Sequence, residues 1–577
     1  YTTKWHVCKI PLPDDWERKW HTVSATYDGK NMKIFYDGKL LKTQAMTEKI
    51  AATSYPLNIG RNSEHKGRVC ELIIRKARIY KRTLSDQEVA SKKRDNSGLL
   101  LNVDLTDVKT VKNRMGGRDY FFAYGGYFEK PGMHHDGNFC MNGLIGADWQ
   151  PHPGLIAIKK VYQNIHVKDI DLSAGRVEIK NWYDFINVKD IVEAKWSVED
   201  SDGKTLGSGK ISAWDIEPGQ SGIFTIPLPS IKAKPGAEYW LNFSFVTSEK
   251  TFYADKGYEL AFDQFKLPAS VSAPKIKSES LPDLSVVEKQ KAVGVKGKDF
   301  TLIVNKQTGA IHSFKYKDTD LIKRGPMPDF WRAYTDNDKG AGLQNKFKIW
   351  RDAGSSWKVE NITVKKPDSK RVDIYVNGTL PDIKGDYNVL YTVYGSGDIV
   401  IEAEYKPGPD KLSELFRFGM ELIVPAGFEN ITWYGRGPAP TYNDRKFERV
   451  GVYKGTVDEQ WVDYSRPQEN GNKVDVRWVA LFDNNGIGLM AVGMPLLSVG
   501  ARHYSKDDME SAQYSFQMKK KEEVFLNLDL AQMGVGGNDS WGARPLQDYM
   551  LPNQGYRYKY RICPVKGRIE DPLKVEF

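Results

Sequence analysis

The chain has 577 residues, 40% hydrophobic and 27% charged, with 84 basic against 74 acidic side chains for a formal charge of +10. That composition excludes a disordered or collagen-like chain, and at about 150 residues per domain it divides into roughly three to five cores. The basic surplus is scattered, since Lys519 to Lys521 run straight into Glu522 and Glu523; no stretch approaches the ~18 apolar residues of a membrane helix, so neither nucleic acid nor membrane is an expected partner.

The first segment reads as β-hairpins. Val23, Ala25 and Tyr27 alternate as an inward face, and Asp28-Gly29 and Asp37-Gly38 turn the chain on either side of Asn31 to Tyr36, a spacing typical of hairpin turns. Leu57 to Arg61 and Glu71 to Tyr80 supply two more strands, and Ser85 with Glu88 forms a capping box for a short helix. Residues 96–117 read as a connector, and the Gly-, Pro-, His- and aromatic-rich stretch 118–163 as a folded loop leading into a helix from about Gly154. From 164 to 268, alternating runs with a Ser201-Asp-Gly turn indicate an immunoglobulin-like sandwich. A Pro/Ser/Lys linker over 269–289 precedes a large all-β domain over 290–577.

Fifteen Trp, 30 Tyr and 24 Phe suit either sugar handling or a strand-rich chain. The four cysteines, Cys8, Cys70, Cys140 and Cys563, show no C-x-x-C spacing, so no zinc site or disulfide scaffold is indicated. A Cys8–Cys70 bridge is open to the chain only if it is exported; the compartment is left open, with the periplasm or the cell exterior favoured. The chain starts at Tyr1 without an initiator Met or signal-peptide pattern, so its N-terminus reads as processed or cut from something longer.

Three clusters carry chemistry. In Asp136 to Gly143, a carboxylate, the Asn142 amide and backbone carbonyls lie within seven residues and suit a hard cation; a turn held by Asx hydrogen bonds is the structural alternative. Trp433 to Pro438, Tyr442 to Arg445 and Arg466 to Gly471 concentrate groups able to fork onto sugar hydroxyls, or else form salt-bridged turns. Met533 to Trp541 places three glycines before an indole; the glycines would let backbone approach a ligand, and Trp541 either faces a pyranose or plugs the core.

The block from Trp20 to Leu41, with LNIGR and ARIYKRTLSDQEVA, resembles the laminin-G-like, concanavalin-like jelly roll over residues 1–95. YGGYF followed by NFCMNGLIGADWQPHPGL resembles the end of the catalytic barrel of glycoside hydrolase family 2 β-galactosidases, while WYGRGPAPTYNDR, RPQENGNKVDVRW and MGVGGNDSW are similar to stretches of their large C-terminal sandwich. The resemblance implies a mainly β fold class: a partial jelly roll, an immunoglobulin-like sandwich and a galactose-mutarotase-like sandwich, plus the tail of a (β/α)8 barrel.

It also implies roles. Phe139, through its carbonyl, and Asn142 match positions that hold sodium near the sugar, with Asn142 also on the substrate, Asp136 supporting, and Trp541 the platform for the galactosyl ring. Magnesium is expected only through the barrel, and His135, standing where lactose-hydrolysing members have Asn, speaks against its outer position. Retaining glycosidases need two Glu about 5 Å apart, which the family carries on barrel strands before the YGG stretch, so no catalytic residue is expected in this chain. The expected partners are a β-galactoside or galactose-containing glycan, the barrel portion and further copies of the chain. A non-catalytic glycan-binding or assembly protein is the alternative; a self-sufficient hydrolase using Glu469, Asp444 or Asp539 is the third reading.

Overall fold

A computed structural model describes residues 8–11, 13, 16, 20–47, 76–91, 95–104, 123–141, 143–146, 149–212, 214–567, 569 and 571–577, in two units, Tyr1–Tyr127 and Phe128–Phe577. Among the described residues no helix is long and apolar enough to cross a membrane.

In the first unit, Val23–Tyr27, Asn31–Tyr36 and Lys39–Ala45 form a three-stranded antiparallel sheet. Both Asp-Gly turns form. Asp28 accepts the backbone N–H groups of Lys30 and Asn31, and Asp37 and Gly38 both take left-handed φ. The capping box at Ser85 forms on the helix Asp86–Ala90. That helix decides which sheet face is covered: Leu84 and Val89 pack with Phe35, and Lys33 reaches Asp86 at 2.7 Å. Phe35 pairs across from Ser24, so the Ser24 face is the covered one. Val23 is therefore 57% exposed and Ala25 is exposed, the reverse of the expected alternation. Lys76–Tyr80 pairs with Leu99–Asp104, so a strand runs through the stretch read as a connector. Leu57 to Arg61 and Cys70 lie outside the described residues.

The second unit begins with the loop to Gln150 and the helix Pro153–Val161, which is tied to the next sandwich by Lys160 on Asp263 at 2.5 Å. That sandwich has a three-stranded sheet (Ser221–Thr225, Arg176–Asn181, Ile165–Asp171) and a four-stranded one (Glu259–Lys266, Tyr239–Thr247, Val192–Asp200, Thr205–Lys210). Strict in-out alternation over Val192–Asp200 buries Val192, Ala194, Trp196 and Val198 against Leu241 and Phe243, as a half-covered strand demands.

The large domain packs a five-stranded sheet, Ser285 to Ile322, with a twelve-stranded antiparallel sheet. Its first strand, Ser285–Glu288, occupies the end of the stretch read as linker. Phe330, Trp331, Trp350 and Phe418 fill the core, each buried aromatic contributing about 1.5–3 kcal/mol. The immunoglobulin-like sandwich docks on this domain through polar side chains: Tyr434 donates to Glu238 at 2.7 Å, Arg477 holds the same carboxylate, and Arg449 reaches Glu259. The fold is mainly β, as the alternation predicts.

Lys473 is buried against Trp433, its ammonium 5.2 Å from the ring and donating to the Gly471 carbonyl. The adjoining void of about 10 Å³ is at the lower limit for one water. Burial, opposed by Glu448, lowers its pKa from 10.5 to about 7. An unfolded lysine stays protonated up to about pH 10.4, so the penalty for discharging or burying this group is fully present below pH 7 and vanishes as pH rises towards 10.5. Lys473→Met is expected to stabilise the domain by about 2–4 kcal/mol at pH 7. Urea unfolding at pH 7 and pH 10 checks this, the gain shrinking at the higher pH.

Candidate functional site

Three chain segments far apart in sequence line one open cleft of about 670 Å³: the loop around Asp136 to Met141, the strip Tyr464 to Glu469 with Tyr442 and Arg445, and the loop Val535 to Ser540. The helix Asp336–Gly340 also lines it, through Asp336, Asn337, Lys339 and Gly340.

The first loop is a short 3-10 turn, Gly137–Met141. The Phe139 N–H donates to the Asp136 carbonyl at 3.1 Å and the Gly137 N–H to His135 Nδ1 at 3.0 Å. His135 thus serves the turn itself. Asp136 and Phe139 both line the cleft, with Phe139 55% exposed. Asn142 lies outside the described residues. The turn's carboxylate and carbonyl oxygens are the donor set a hard cation takes. Downstream, His152 packs edge-on against Tyr464, ring centres 5.2 Å apart, and its Nδ1 is 2.7 Å from the Gly143 carbonyl.

The second cluster divides in two. Trp433 and Tyr434 are buried, Trp433 donating to the Arg436 carbonyl, and Arg436 pairs with Asp475 at 2.6 Å. This half is a paired β-strand, Asn430–Gly437, tied down by a salt bridge, and not a turn. The other half faces the cleft: Arg466 reaches Asp336 at 2.7 Å and stacks over Tyr334, while Gln468 both donates to Asp336 and accepts its backbone N–H.

The third loop is pinned by its neighbours. The buried Arg332, held by Asp338, donates to the carbonyls of Met533 at 2.6 Å and Gly534 at 2.9 Å. Asn337 donates to the Val535 carbonyl and Asp444 accepts the Gly536 N–H at 2.7 Å. Close approach is what the glycines serve, but the partner is the protein: a Cβ on Gly534 would lie 2.6 Å from the Asp444 carboxylate. Asp539 accepts the backbone N–H groups of Trp541, Gly542 and Ala543, which hold its carboxyl below the ordinary value, Ala543 foremost. This turn leaves Trp541 71% exposed, next in sequence to Ser540, the last residue of the loop that lines the cleft. Trp541 therefore does not plug the core.

The carboxylates weighed for internal catalysis are all engaged. Asp539 caps its loop, Asp444 holds Gly536, and the buried Glu469 sits 3.4 Å from Arg417 and within 3.5 Å of the Tyr442 hydroxyl. Beneath the cleft Arg417 also meets Asp529 at 2.9 Å and Asp329 at 3.2 Å. Burial pushes Asp329 up, but Lys506 and Arg417 outweigh it and bring its carboxyl to about 2. Asp529 goes the other way: burial raises it against the pull of Arg417, and the charges of Asp329 and Glu469 add to the rise. Asp336 was not singled out by sequence reasoning, although the Thr335-x-x-Asp338 capping pattern that positions it is legible there.

Family models match in the same order as these elements: "Beta galactosidase small chain" over residues 296–562, "Beta-galactosidase, domain 4" over 177–268, "Glycosyl hydrolases family 2, TIM barrel domain" over 88–167, and "Concanavalin A-like lectin/glucanases superfamily" over 11–90. A β-galactosidase of Priestia megaterium is 34% identical over 449 residues, 77% of this chain and 43% of that protein. One from Lactobacillus delbrueckii subsp. bulgaricus is 33% identical over 445 residues, 76% of this chain and 42% of that protein. The chain thus spans less than half the length of these relatives. Among solved structures, a galactose 1-epimerase from Lactobacillus acidophilus NCFM is similar at a TM-score of 0.28 and 8% identity, over 50% of this chain and 100% of that one. With its motifs, its domain order and its relatives in agreement, the chain belongs to the glycoside hydrolase family 2 β-galactosidases.

Proposed function

We propose that this chain is the sugar-positioning part of a retaining β-galactosidase that hydrolyses terminal β-D-galactosyl residues. The observation that carries the reading is the convergence of three distant motifs on one cleft of about 670 Å³, within the usual range for a small-molecule site, with Trp541 exposed next in sequence to the lining residue Ser540. An indole face there covers the C–H face of a pyranose, and the surrounding amides and guanidinium groups offer donors and acceptors to its hydroxyls. The Phe139 carbonyl and Asn142 would hold a sodium ion, supported by Asp136; when bound, such an ion orients a sugar hydroxyl and balances local negative charge.

Cleavage is assigned to the family's barrel. The barrel model matches only residues 88–167 here, against about 250 residues in a complete barrel, and the acidic side chains Glu469, Asp444 and Asp539 are tied into structural bonds. We place the Glu pair in the barrel portion, with any magnesium held through it. The 577-residue chain alone is expected to leave 4-nitrophenyl β-galactoside uncut, and supplying the barrel portion, fused or in trans, to produce sodium-dependent hydrolysis. Turnover by the chain alone, or a complemented chain that binds galactose without cutting the galactoside, would overturn this reading.

A further inference from the structure

We propose that Asp336 is a positioning residue that locks the two sides of the sugar cleft to each other. The inference rests on the cleft being the sugar site, and it concerns a residue whose carboxylate joins the cation loop to the Arg466–Gln468 strip, while its neighbour Asn337 holds the Trp541 loop. Asp336 accepts from Asn138 Nδ2 at 2.9 Å, from Arg466 at 2.7 Å and from Gln468 Nε2 at 3.0 Å. The first of these bonds joins residues 198 positions apart, and it grips the 3-10 turn that carries Phe139. The other two grip the strip that ends at Glu469. The next residue in the same helical turn, Asn337, donates to the Val535 carbonyl at the root of the Trp541 loop.

One helical turn therefore holds three chain segments that have no covalent reason to keep a common spacing. Its own position is rigid: Thr335 and Asp338 complete a capping box, and Asp338 is clamped by the buried Arg332, which itself holds the Met533 and Gly534 carbonyls. The Asp336 carboxylate is the acceptor that the Asn138 and Gln468 amide donors share on one oxygen, with the Arg466 guanidinium on the other. Alanine removes all three bonds at once. A sugar that must meet both Phe139 and Trp541 depends on that spacing, and small misplacements of binding groups are amplified in the rate.

The test compares wild type, Asp336→Ala and Asn138→Ala in the full 577-residue chain by hydrogen exchange, then in the barrel-complemented enzyme by kinetics. Asp336→Ala is expected to speed exchange of the amides in 137–141 and 465–469 by at least about tenfold, with the sheet amides unchanged. Asn138→Ala should loosen 137–141 alone. In the complemented enzyme Asp336→Ala should lower kcat/KM about 10- to 100-fold while the thermal midpoint moves by less than about 4 °C. Unchanged exchange in the Asp336 variant would overturn the proposal, and so would faster exchange with wild-type kinetics, which would leave the residue a purely structural role. An inactive wild-type complement would sink the hydrolase reading instead, and the exchange data would still decide whether Asp336 holds the loops.

Discussion

Replacing Arg417 with methionine is expected to destabilise the large domain by about 3–5 kcal/mol. The guanidinium is fully buried among Asp329, Glu469 and Asp529, with contacts of 3.2, 3.4 and 2.9 Å. Methionine fills much the same volume, so the loss comes from three carboxyl groups left without their common cation. Lys506 reaches Asp329 at 2.6 Å and Asn527 donates to the same residue, while the ion pairs of Glu469 and Asp529 among the described residues are to Arg417.

The pH dependence follows from the same groups. In the wild type, Asp329 is held at about 2, below the ordinary 3.8, so its contribution is fully present above pH 4 and is lost as pH falls towards 2. Without Arg417 the buried carboxylates shift upward and take up protons at milder acidity. The deficit of Arg417→Met should accordingly be smaller at pH 5 than at pH 8. Urea unfolding followed by tryptophan fluorescence at the two pH values checks this; a loss below about 1 kcal/mol at pH 8 would mean that the network carries its charge without the arginine.

Trp541→Ala is expected to raise KM for a β-galactoside in the complemented enzyme about 10- to 100-fold, equivalent to roughly 1.5–3 kcal/mol of lost apolar contact. The indole is 71% exposed in the free chain, so its removal should change folding stability by less than about 0.5 kcal/mol. Asp539 fixes the loop by accepting three successive backbone N–H groups, so the platform is pre-organised and needs little ordering on binding. Unchanged kinetics with unchanged stability would remove Trp541 from the site altogether. Kinetics on a nitrophenyl galactoside, with thermal unfolding of the same preparations, separate these outcomes.

Much of the fold was legible because its signals are local. The Asp-Gly turns at 28 and 37, the capping box at Ser85 and the alternation over Ala194 to Glu199 each depend on neighbours in sequence; the turns and cap form, and that run lies inside the strand Val192–Asp200. The inward face of Val23–Tyr27 came out reversed because a helix some 60 residues later, not the strand itself, decides which side is covered. Residues 285–288 read as linker for a related reason: their strand pairing is supplied by Ala292–Lys296, and nothing in a four-residue run announces a partner.

At the site the same division holds. Sequence alone picked out loops that line the cleft and the family they belong to, since motif identity resides in consecutive residues such as RPQENGNKVDVRW and MGVGGNDSW. Tertiary structure decided what those residues face. Trp433 and Trp541 sit in equally distinctive motifs, yet one is buried beside Lys473 and the other stands open, next in sequence to the cleft residue Ser540. Asp336 became visible only through Asn138, Arg466 and Gln468, partners 130 or more positions away. The physical reason is that burial and charge pairing are sums over all neighbours in space, and a β-sandwich draws most of those neighbours from distant strands.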